Sequence, residues 1–528
     1  MKLFRVKCPH ELRLRGLEIK LSSILCRLYR RRIGFQTMKS VIACTAFLGS
    51  ALLTSVAFAD GGYYAGTFGA RASGRGGAFT AKADDVSAIS FNPAGLAKLD
   101  GSLFQLGNEA SYNTYAFTRA PTKDYRLTDP QTGDAPVVVF DKVTNGKPWQ
   151  ALLPMVGATS RLGLENWGFG LAAFAPPGIG KEDFPLGGGQ RYMMLSREAI
   201  ILTYAASAAW KYQDVFGIGA TAEWIRVPRL NYSLVVDGTP FAKSANPVSA
   251  PLDILATTKG SSAFTFNAIL GAWYRPVPVL EFGVSGQVVP ANIVTKSTLT
   301  VTPLGSEVSS VQLTRNNRTA NDVSLTLPLP LIFRSGVRYR GLEGAREVFD
   351  LELDVDYTTW SRVKNFTIDT NGLQARISGF DPSDINRIVI DKHWRDTFAF
   401  RLGGDYAVVP NMLTVRAGGY YETAVADPAY ANVDFPGGPQ VGGAVGASLF
   451  FQQFEVALAY QLRVQPSVSV SESNARVYQQ VPSSACAAPY TDTGNCNSHF
   501  LGQPSPAVNA GAYSASSHFL ALNVLYRL

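Results

Sequence analysis

Histidine and cysteine are scarce in this sequence, and their scarcity argues against several kinds of chemistry. The 528 residues include four His and five Cys. Beyond residue 59 the histidines are His393, His499 and His518, and no Gly-x-Ser-x-Gly segment accompanies them. A serine hydrolase needs an exposed serine that a histidine base activates. We therefore predict that the chain is not an enzyme and that it uses no cofactor.

A basic surface for nucleic acid is also missing from the sequence. The formal net charge is +8, but residues 1–59 contain 11 Lys or Arg and two Glu. The remainder has 37 basic and 38 acidic residues, so its net charge is close to zero. No stretch combines clustered cations with interleaved aromatic residues, as a site for single-stranded nucleic acid does. The composition therefore excludes nucleic acid as a partner.

Residues 38–59 are the one long apolar run near the N-terminus, and they are typical of a secretory signal peptide. Lys39 provides the positive start, and the small-x-small sequence at residues 57–59 provides a cleavage site. The alternative is a transmembrane anchor, because the run approaches the length that spans a bilayer. Residues 1–37 form a basic extension, either a long n-region of the signal or a segment upstream of a true start at Met38. We expect the mature chain to begin at Asp60.

Two cysteines, Cys486 and Cys496, remain after this cleavage, in a segment rich in Pro, Ser and Asn. In an exported protein, an isolated pair of nearby cysteines predicts a loop disulfide. The alternative is a metal site, but two thiols with His499 fall short of the ligands of a closed tetrahedral site. We therefore expect a disulfide and no metal.

Residues 60–101 differ from the rest of the mature chain because their apolar spacing is helical. Val86 and Ile89 are three residues apart, which fits a helical period. Pro93 disfavours helical geometry at Asn92, so the first helix should end there and a second short turn should follow. This pattern predicts a compact plug with a broken helix, which we call the hatch.

From residue 102 onward the apolar residues recur with a period of two, which is typical of β-strands. In residues 349–357 the odd positions are apolar and the even positions are acidic. A soluble sandwich and an outer-membrane barrel both produce this alternation. Segments of about ten residues, the length that crosses a bilayer as a tilted strand, favour the barrel. Short turns that alternate with long loops, and the export signal, favour it as well.

The sequence thus predicts an all-β fold, a 14-stranded antiparallel transmembrane β-barrel over residues 102–528, with the hatch in its lumen. An even number of strands returns the chain end to the side from which it started. Pro328 and Pro330 interrupt the eighth of these strands. The strand centres are predicted near residues 110, 155, 170, 203, 222, 268, 288, 332, 354, 401, 417, 446, 459 and 521.

Segments distributed along residues 60–528 resemble the FadL/TodX family of outer-membrane transporters for hydrophobic compounds. Residues 74–79 and 91–95, which include Asn92, Pro93 and Ala94, are similar to the hatch of that family. Residues 174–179 fall where the family has a Pro-x-Gly break in its third strand. Further similar segments are residues 359–361, 394–397, 413–420 and 511–513, together with His518.

The resemblance implies a monomeric protein of the Gram-negative outer membrane that passes hydrophobic molecules, most often long-chain fatty acids, by diffusion. The ligand would enter from hydrophobic extracellular loops and leave laterally past the hatch. The implied partners are this ligand, outer-membrane lipid or lipopolysaccharide, and the barrel assembly machinery. Alternatives are a transporter of aromatic hydrocarbons in the same family, a general porin, and a lipid-binding adhesin.

Pro176, Pro177 and Gly178 are the first candidate functional segment. Proline cannot donate to a strand ladder, so the pair loosens the pairing of the third strand. One interpretation is a kink that opens the barrel wall beside the hatch, and the other is a plain loop boundary. Asn92, Pro93 and Ala94 are then expected to form the hatch face against this opening. The simpler interpretation of Asn92 is a turn residue that bonds its own backbone.

Acidic and basic residues of neighbouring strands form the second candidate region. Asp350, Glu352, Asp354 and Asp356 are predicted to point into the lumen, as are Arg401 and Arg416 on the next two strands. The two arginines either bind a ligand carboxylate or belong to a structural network of alternating charge. Residues 74–77 lack the Lys-Ser/Thr ending of a phosphate loop, so we interpret them as a tight turn.

Overall fold

The computed structural model describes residues 69–123, 131–134, 136–175, 180–237, 253–306, 308–378, 382–478, 499–500, 503–504 and 507–528. The basic extension, the signal peptide, Pro176 to Gly178 and both Cys486 and Cys496 lie outside these residues, so the predictions about them stay predictions. Within the described residues, no helix has the length and apolar character needed to cross a membrane.

The described chain begins with short helices and continues almost entirely as strands. The helices are α1 (Ala70–Ser73) and α2 (Ala88–Phe91), with 3₁₀ helices at Pro93–Lys98, Trp360–Arg362 and Pro428–Tyr430. The strands are β1 (Ser102–Arg119), β2 (Thr122–Lys123), β3 (Val137–Val138), β4 (Val143–Thr144), β5 (Trp149–Ser160), β6 (Trp167–Phe174), β7 (Lys181–Asp183), β8 (Ser196–Tyr212), β9 (Phe216–Asp237), β10 (Asp253–Ser262), β11 (Thr265–Val277), β12 (Leu280–Gln287), β13 (Asn292–Pro303), β14 (Val311–Arg315), β15 (Arg318–Thr319), β16 (Asp322–Pro328), β17 (Ile332–Glu343), β18 (Arg346–Thr358), β19 (Asn365–Ile377), β20 (Ser383–Asp391), β21 (Thr397–Val409), β22 (Leu413–Glu422), β23 (Gln440–Phe451), β24 (Phe454–Val470), β25 (His499–Phe500), β26 (Gln503–Pro504) and β27 (Gly511–Arg527).

Fourteen of these strands close into an antiparallel barrel, which confirms the predicted fold. The first strand β1 pairs with the last strand β27 from Leu103 opposite Arg527 to Arg119 opposite Gly511, and this pairing closes the wall. Around the barrel the order is β1, β5, β6, β8, β9, β11, β12, β17, β18, β21, β22, β23, β24 and β27.

Two of the predicted strand centres are corrected by the structure. The seventh was predicted near residue 288, but β12 ends at Gln287, and the eighth was predicted near residue 332, where β17 only begins. For the eighth strand the reason is the Pro328-Leu329-Pro330 segment, which begins at the end of β16 and lies before β17 rather than within it. Proline removes a ladder donor, so this segment interrupts the sheet instead of continuing a barrel strand.

The two faces of each barrel strand differ as the alternation predicts. In β18, Phe349, Leu351 and Leu353 are exposed on the outside, whereas Glu352 and Asp354 are fully buried inside. Short turns join the strands at one end of the barrel, where both β1 begins and β27 ends, and we call it the turn end. Long connections occupy the other end, which we call the loop end. An apolar outer face and this asymmetry are the features of an outer-membrane barrel.

A second sheet continues the wall beyond the barrel at the loop end. It begins with the far half of β9, which is 22 residues long, and continues through β10, β13, β16, β19 and β20 in that order. Its inner face and the neighbouring barrel strands enclose the largest apolar cluster of the described chain. Members of this cluster include Ile225, Val227, Leu325, Leu327, Trp360, Phe366, Trp394 and Phe435.

Candidate functional site

The hatch lies in the lumen, and Asn92 fixes its central turn. Asn92 has an extended backbone, and its Oδ1 accepts a hydrogen bond from the Ala94 N–H at 3.2 Å. This bond caps the 3₁₀ helix that begins at Pro93, a position that suits proline. The Asn92 amide Nδ2 donates to the carbonyls of Thr80 at 2.9 Å and Ala272 of β11 at 3.0 Å. Asn92 therefore caps its own turn and also ties the hatch to the wall.

The wall that faces Asn92, Pro93 and Ala94 consists of β9 and β11. Trp273 of β11 donates its indole N–H to the Ala94 carbonyl at 3.0 Å. A Cβ atom at Gly219 of β9 would lie 2.6 Å from the Ala94 nitrogen, so only glycine admits the hatch this closely. The described contacts of this motif are thus with β9 and β11 rather than with β6, the strand that precedes Pro176.

Other hatch residues face β5 and β6, and their contacts are apolar. A Cβ atom at Gly157 of β5 would lie 2.6 Å from Val86 Cγ1, and one at Gly170 of β6 would lie 2.8 Å from Ile89 Cδ1. Leu96 lies against the same part of β6. These side chains belong to one buried apolar cluster with Ala83, Met155, Ala172, Phe174, Ala205 and Ala209. We call this surface the apolar side of the hatch.

The barrel wall beside the apolar side changes its pairing at the end of β6. The β5–β6 pairing runs to Met155 opposite Phe174, with one more bond from the Ala175 N–H to the Pro154 carbonyl at 3.0 Å. On its other edge β5 continues to pair with β1 as far as Trp149. The regular part of β6 therefore ends partway along β5. Pro176, Pro177 and Gly178 follow directly, outside the described residues.

The opposite side of the hatch carries charge, and Arg75 is its centre. The guanidinium is fully buried and forms ion pairs with Asp350 at 2.6 Å, Asp405 at 2.7 Å and Glu352 at 3.0 Å. Burial opposes the charge on Arg75, but these three carboxylates raise its pKa well above the usual value. Gly76 has a positive φ of 65°, and a Cβ there would lie 2.8 Å from the Gly419 nitrogen. The tight turn predicted at residues 74–77 thus brings Arg75 against the wall.

Backbone N–H groups of the hatch also donate to two acidic side chains of β18. Asp354 accepts from the N–H groups of Phe79 and Thr80, both at 2.9 Å, and Glu352 accepts from Ala81 at 2.6 Å. Lys82 adds an ion pair to Asp350 at 2.5 Å. Charge-assisted bonds of this kind are stronger than neutral ones. We call this surface, which contacts β12, β17, β18, β21 and β22, the charged side of the hatch.

Arg401 and Arg416 both belong to the charged side. Arg401 pairs with Asp356 at 2.7 Å and donates to the Gly76 carbonyl of the hatch at 3.2 Å. Arg416 pairs with Asp405 at 3.4 Å and donates to the Ser448 hydroxyl at 2.8 Å. Their partners are wall and hatch groups, which agrees with the structural alternative rather than with a free carboxylate site.

The cations of the hatch were missed from the sequence, although a signal for them was present. Four acidic side chains on one inward face of β18 need buried cations, because isolated charges are costly to bury. Of the four hatch cations, Arg75 and Lys82 form the ion pairs with β18. The pairing joins residues about 270 positions apart in the chain, which a local pattern cannot reveal.

An apolar pocket at the loop end is a further candidate for ligand binding. It encloses about 410 Å³ of non-protein space, including its open mouth. Its lining includes Leu325, Leu327, Phe366 and Phe435, together with the polar side chains Arg197, Glu198 and Asn231. Arg197 is the cation among the lining residues of this pocket.

Hydrogen bonds to Glu182 fix the guanidinium of Arg197, but they do not use all of its N–H donors. Its guanidinium binds Glu182 at 2.9 and 3.2 Å and lies 4.1 Å from the centre of the Phe435 ring. Arg197 is 4% exposed, and its Nη1 is buried without a hydrogen-bond partner among the described residues. This nitrogen therefore keeps unused donor capacity, although it has no accessible surface in this structure.

The family model described as outer membrane protein transport protein (OMPP1/FadL/TodX) matches residues 50–500. No curated protein sequence matches the chain. A FadL homologue from Pseudomonas aeruginosa is similar in structure, with a TM-score of 0.67, 17% identity, and 88% of this chain and 99% of that chain covered.

Two aromatic-hydrocarbon proteins are also similar in structure. The toluene transporter TodX from P. putida has a TM-score of 0.58 and 14% identity, over 88% of this chain and 99% of that chain. The toluene transporter TbuX from Ralstonia pickettii has a TM-score of 0.55 and 14% identity, over 88% and 99%. At this identity the likeness shows the fold.

Proposed function

Because the chain belongs to the outer membrane protein transport family (OMPP1/FadL/TodX), we propose that it carries long-chain fatty acids across the outer membrane by diffusion. The family transports hydrophobic small molecules, and its members are outer-membrane channels rather than enzymes. The observation that carries the finer assignment is the apolar pocket at the loop end with Arg197 in its lining.

A long-chain fatty acid matches both parts of this pocket. Its alkyl chain fits against Leu325, Leu327 and Phe366, and each CH₂ group buried there contributes about 0.8 kcal/mol. Its carboxylate is the natural acceptor for the buried Nη1 of Arg197. A neutral hydrocarbon leaves that donor without a partner, which is costly for a buried polar group.

The proposed route runs from the loop end to the side wall. The ligand is captured in the apolar interior at the loop end and moves down toward the hatch. We propose that Pro176, Pro177 and Gly178, which follow the end of β6, kink the wall and open it laterally. The hatch presents its apolar side to β5 and β6, so it can shift there without breaking ion pairs. We further propose that the barrel acts as a monomer in a lipopolysaccharide membrane after insertion by the barrel assembly machinery.

Transport of monoaromatic hydrocarbons is the second candidate. TodX and TbuX are described as toluene transporters, and a third similar structure is described as a monoaromatic hydrocarbon channel. Phe366 and Phe435 in the pocket would also accept an aromatic ring by edge-to-face packing. The two candidates differ in whether the ligand needs the Arg197 donor.

Uptake by a strain that lacks the gene, with and without a plasmid copy, distinguishes the candidates. We expect the initial rate of oleate uptake to depend on the gene and that of toluene uptake not to depend on it. Toluene uptake that alone depends on the gene would support the second candidate. If neither depends on the gene, the transport proposal is rejected.

A paired substitution then tests the role of Arg197. Replacing Arg197→Met together with Glu182→Met removes the ion pair without leaving either charge buried alone. We expect oleate binding to the purified protein to weaken about tenfold and binding of uncharged methyl oleate to stay unchanged. Glu198→Gln, another residue of the pocket lining, is the matched control. An equal loss for both ligands would leave Arg197 a structural role only.

A further inference from the structure

A group of cations lies on the outer face of the wall, where the barrel passes into the second sheet. The four side chains are exposed and belong to the neighbouring strands β9, β10 and β13: Arg226, Arg229, Lys259 and Lys296. Val227 and Leu230 follow the two arginines directly, and Ala256 and Leu299 stand three positions from the two lysines. These four residues belong to the apolar cluster on the inner face. Strand alternation therefore directs the cations away from the lumen, and we call this surface the basic patch.

A bulge in β9 brings both arginines to the outer face. Arg226 stands opposite Leu202 of β8, and Arg229 stands opposite Ile200. Three positions on β9 thus correspond to two positions on β8, which is the extra residue that defines a bulge. In a regular strand, residues three positions apart point to opposite faces. The irregularity therefore doubles the positive charge that β9 presents on this face.

The register of the next two strands adds the lysines to the arginines. Lys259 stands opposite Asn231 of β9, two positions from Arg229. Lys296 stands opposite Ser261 of β10, two positions from Lys259. Neighbouring strands are about 4.8 Å apart, so the three strands place these charges within about 10 Å of each other across the sheet. Like charges this close repel one another, and a bound anion would relieve the repulsion.

The acidic residues near the basic patch do not neutralise it. Arg229 forms an ion pair with Glu198 at 3.2 Å, but its side chain remains 66% exposed. Asp322 of β16 lies beside β13, and it pairs with Arg315 at 2.8 Å rather than with the patch. The other three cations of the patch form no ion pair with any residue of the described part of the chain. The patch therefore keeps a net positive charge.

Exposed aromatic rings show where the membrane surface crosses this part of the wall. Tyr204 packs against Phe264 with ring centres 5.9 Å apart, and Trp224 packs against Phe266 at 6.1 Å. All four rings are exposed on the outer face, and aromatic girdles of this kind mark the membrane–water interfaces of barrels. Arg226 follows Trp224 by two positions toward the loop end. Because short turns face the periplasm and long loops face outward, the basic patch lies at the head groups of the outer leaflet.

We propose that the basic patch binds the phosphate groups of lipopolysaccharide, the glycolipid of the outer leaflet. Lipopolysaccharide carries phosphates on sugar units directly above its acyl chains, so phosphate, sugar and chain meet the wall at neighbouring levels. Lysine and arginine donate charge-assisted hydrogen bonds to phosphate oxygens. Thr298 and Thr300 expose hydroxyl groups beside the lysines for the sugars. Val294, which is 50% exposed and precedes Lys296 by two positions, faces the acyl chains.

The lipid, rather than free phosphate, is the ligand that this position favours. Anionic head groups form a continuous layer at the membrane surface, and basic residues that lie next to such a layer are attracted to it. The exposed valine and aromatic rings on the membrane side of the patch would contact acyl chains, which free phosphate does not have. The proposal requires the outer-membrane barrel but does not depend on which ligand the barrel transports.

Binding of lipopolysaccharide to the purified protein in a nonionic detergent tests this inference. Lys259→Gln together with Lys296→Gln removes two charges of the patch, and neither lysine has an ion pair among the described residues to lose. We expect the affinity for lipopolysaccharide, measured by titration with native mass spectrometry, to fall at least about tenfold. Lys123→Gln together with Lys142→Gln is the matched control, because it removes two exposed cations of the loop end beside β1 and β4. The control should keep the affinity of the unaltered protein.

Two further probes identify the group that is bound. Lipopolysaccharide whose phosphates have been removed by a phosphatase should bind the unaltered protein and the patch variant equally weakly. Inorganic phosphate at the same concentration should not displace lipopolysaccharide. Tight binding of the phosphate-free lipid, or displacement by inorganic phosphate, would overturn the proposal.

The remaining outcomes also decide the matter. An unchanged affinity in the patch variant, or an equal loss in the control variant, would overturn the role of the basic patch. Heat-dependent gel mobility checks that each variant is a folded barrel. Oleate uptake does not enter the measurement, so a failure of the proposed function and a failure of this inference are seen separately.

Discussion

The two sides of the hatch are held by different forces, although both are buried in the same lumen. On the charged side, Arg75 and Lys82 pair with carboxylates of β18 and β21. On the apolar side, Val86 and Ile89 pack against wall glycines and alanines. Ion pairs and charge-assisted hydrogen bonds are directional, whereas apolar contact is not. We propose that the charged side anchors the hatch and that the apolar side, which has a hydrogen bond from Thr221 to the Ile89 carbonyl at 2.7 Å, can shift along the wall.

The position of the apolar side of the hatch fits the proposed route of the ligand. The apolar side faces β5 and β6, where the regular pairing of β6 stops at Phe174. A small shift there would open space beside the wall, while the ion pairs on the far side remain in place. Substitutions on the two sides of the hatch should therefore have different effects.

The largest effect is expected from replacing Arg75, the central cation of the charged side. Arg75→Met leaves Asp350, Asp405 and Glu352 buried without their shared cation, which costs about 3–5 kcal/mol. We expect the hatch to loosen and conductance for small ions in planar bilayers to rise. Arg346→Met, which removes a half-exposed cation paired with Glu343 at the turn end, is the control. Unchanged conductance in Arg75→Met would show that the anchor does not hold the hatch.

An intermediate effect is expected at Asn92, between the charged side and the apolar side of the hatch. Asn92→Ala removes the cap of the 3₁₀ helix and two hydrogen bonds, to Thr80 and to Ala272. The loss should be about 1–3 kcal/mol, because buried carbonyls lose their donor. Faster amide hydrogen exchange across residues 88–98, with the barrel strands unchanged, is the expected result. Exchange that is no faster than in the unaltered protein would contradict it.

The smallest effect is expected from crowding the apolar side. Gly170→Ala places a methyl group 2.8 Å from Ile89 Cδ1, and we expect a cost of about 1 kcal/mol because Ile89 can move. Oleate uptake should slow without any rise in conductance. Gly443→Ala, where a Cβ would meet nothing within 4 Å, is the matched control. A conductance rise in Gly170→Ala would mean that the apolar side also seals the lumen.

Much of the fold could be predicted from the sequence because alternation is a local signal. The strict period of two in residues 349–357 is sufficient to place β18 and the direction of its acidic side chains. The alternation did not give the correct centres of β12 and β17, because prolines interrupt it near both strands. None of the predicted strand centres falls in β10, β13, β16, β19 or β20, so the second sheet at the loop end was missed, although β13 and β19 alternate in the same way as the barrel strands.

The candidate site was less predictable because its contacts join distant parts of the chain. The hatch motif at Asn92 was found, since Pro93 marks a break in the helix. That Asn92 contacts Ala272 of β11 depends on the closed barrel and has no local signal. The same holds for Arg197, whose pocket includes residues from β8, β9, β16 and β19.

Cross-linking each side of the hatch in turn tests directly whether the apolar side moves while the charged side stays fixed. Val86→Cys with Gly157→Cys would tie the apolar side to β5, and Ala81→Cys with Gly283→Cys would tie the charged side to β12. Both pairs join hatch and wall atoms that approach closely. We predict that oxidation of the first pair blocks oleate uptake until a reductant is added, and that oxidation of the second leaves uptake unchanged. Loss of uptake with the charged-side cross-link, or normal uptake with the apolar-side cross-link, would contradict the account.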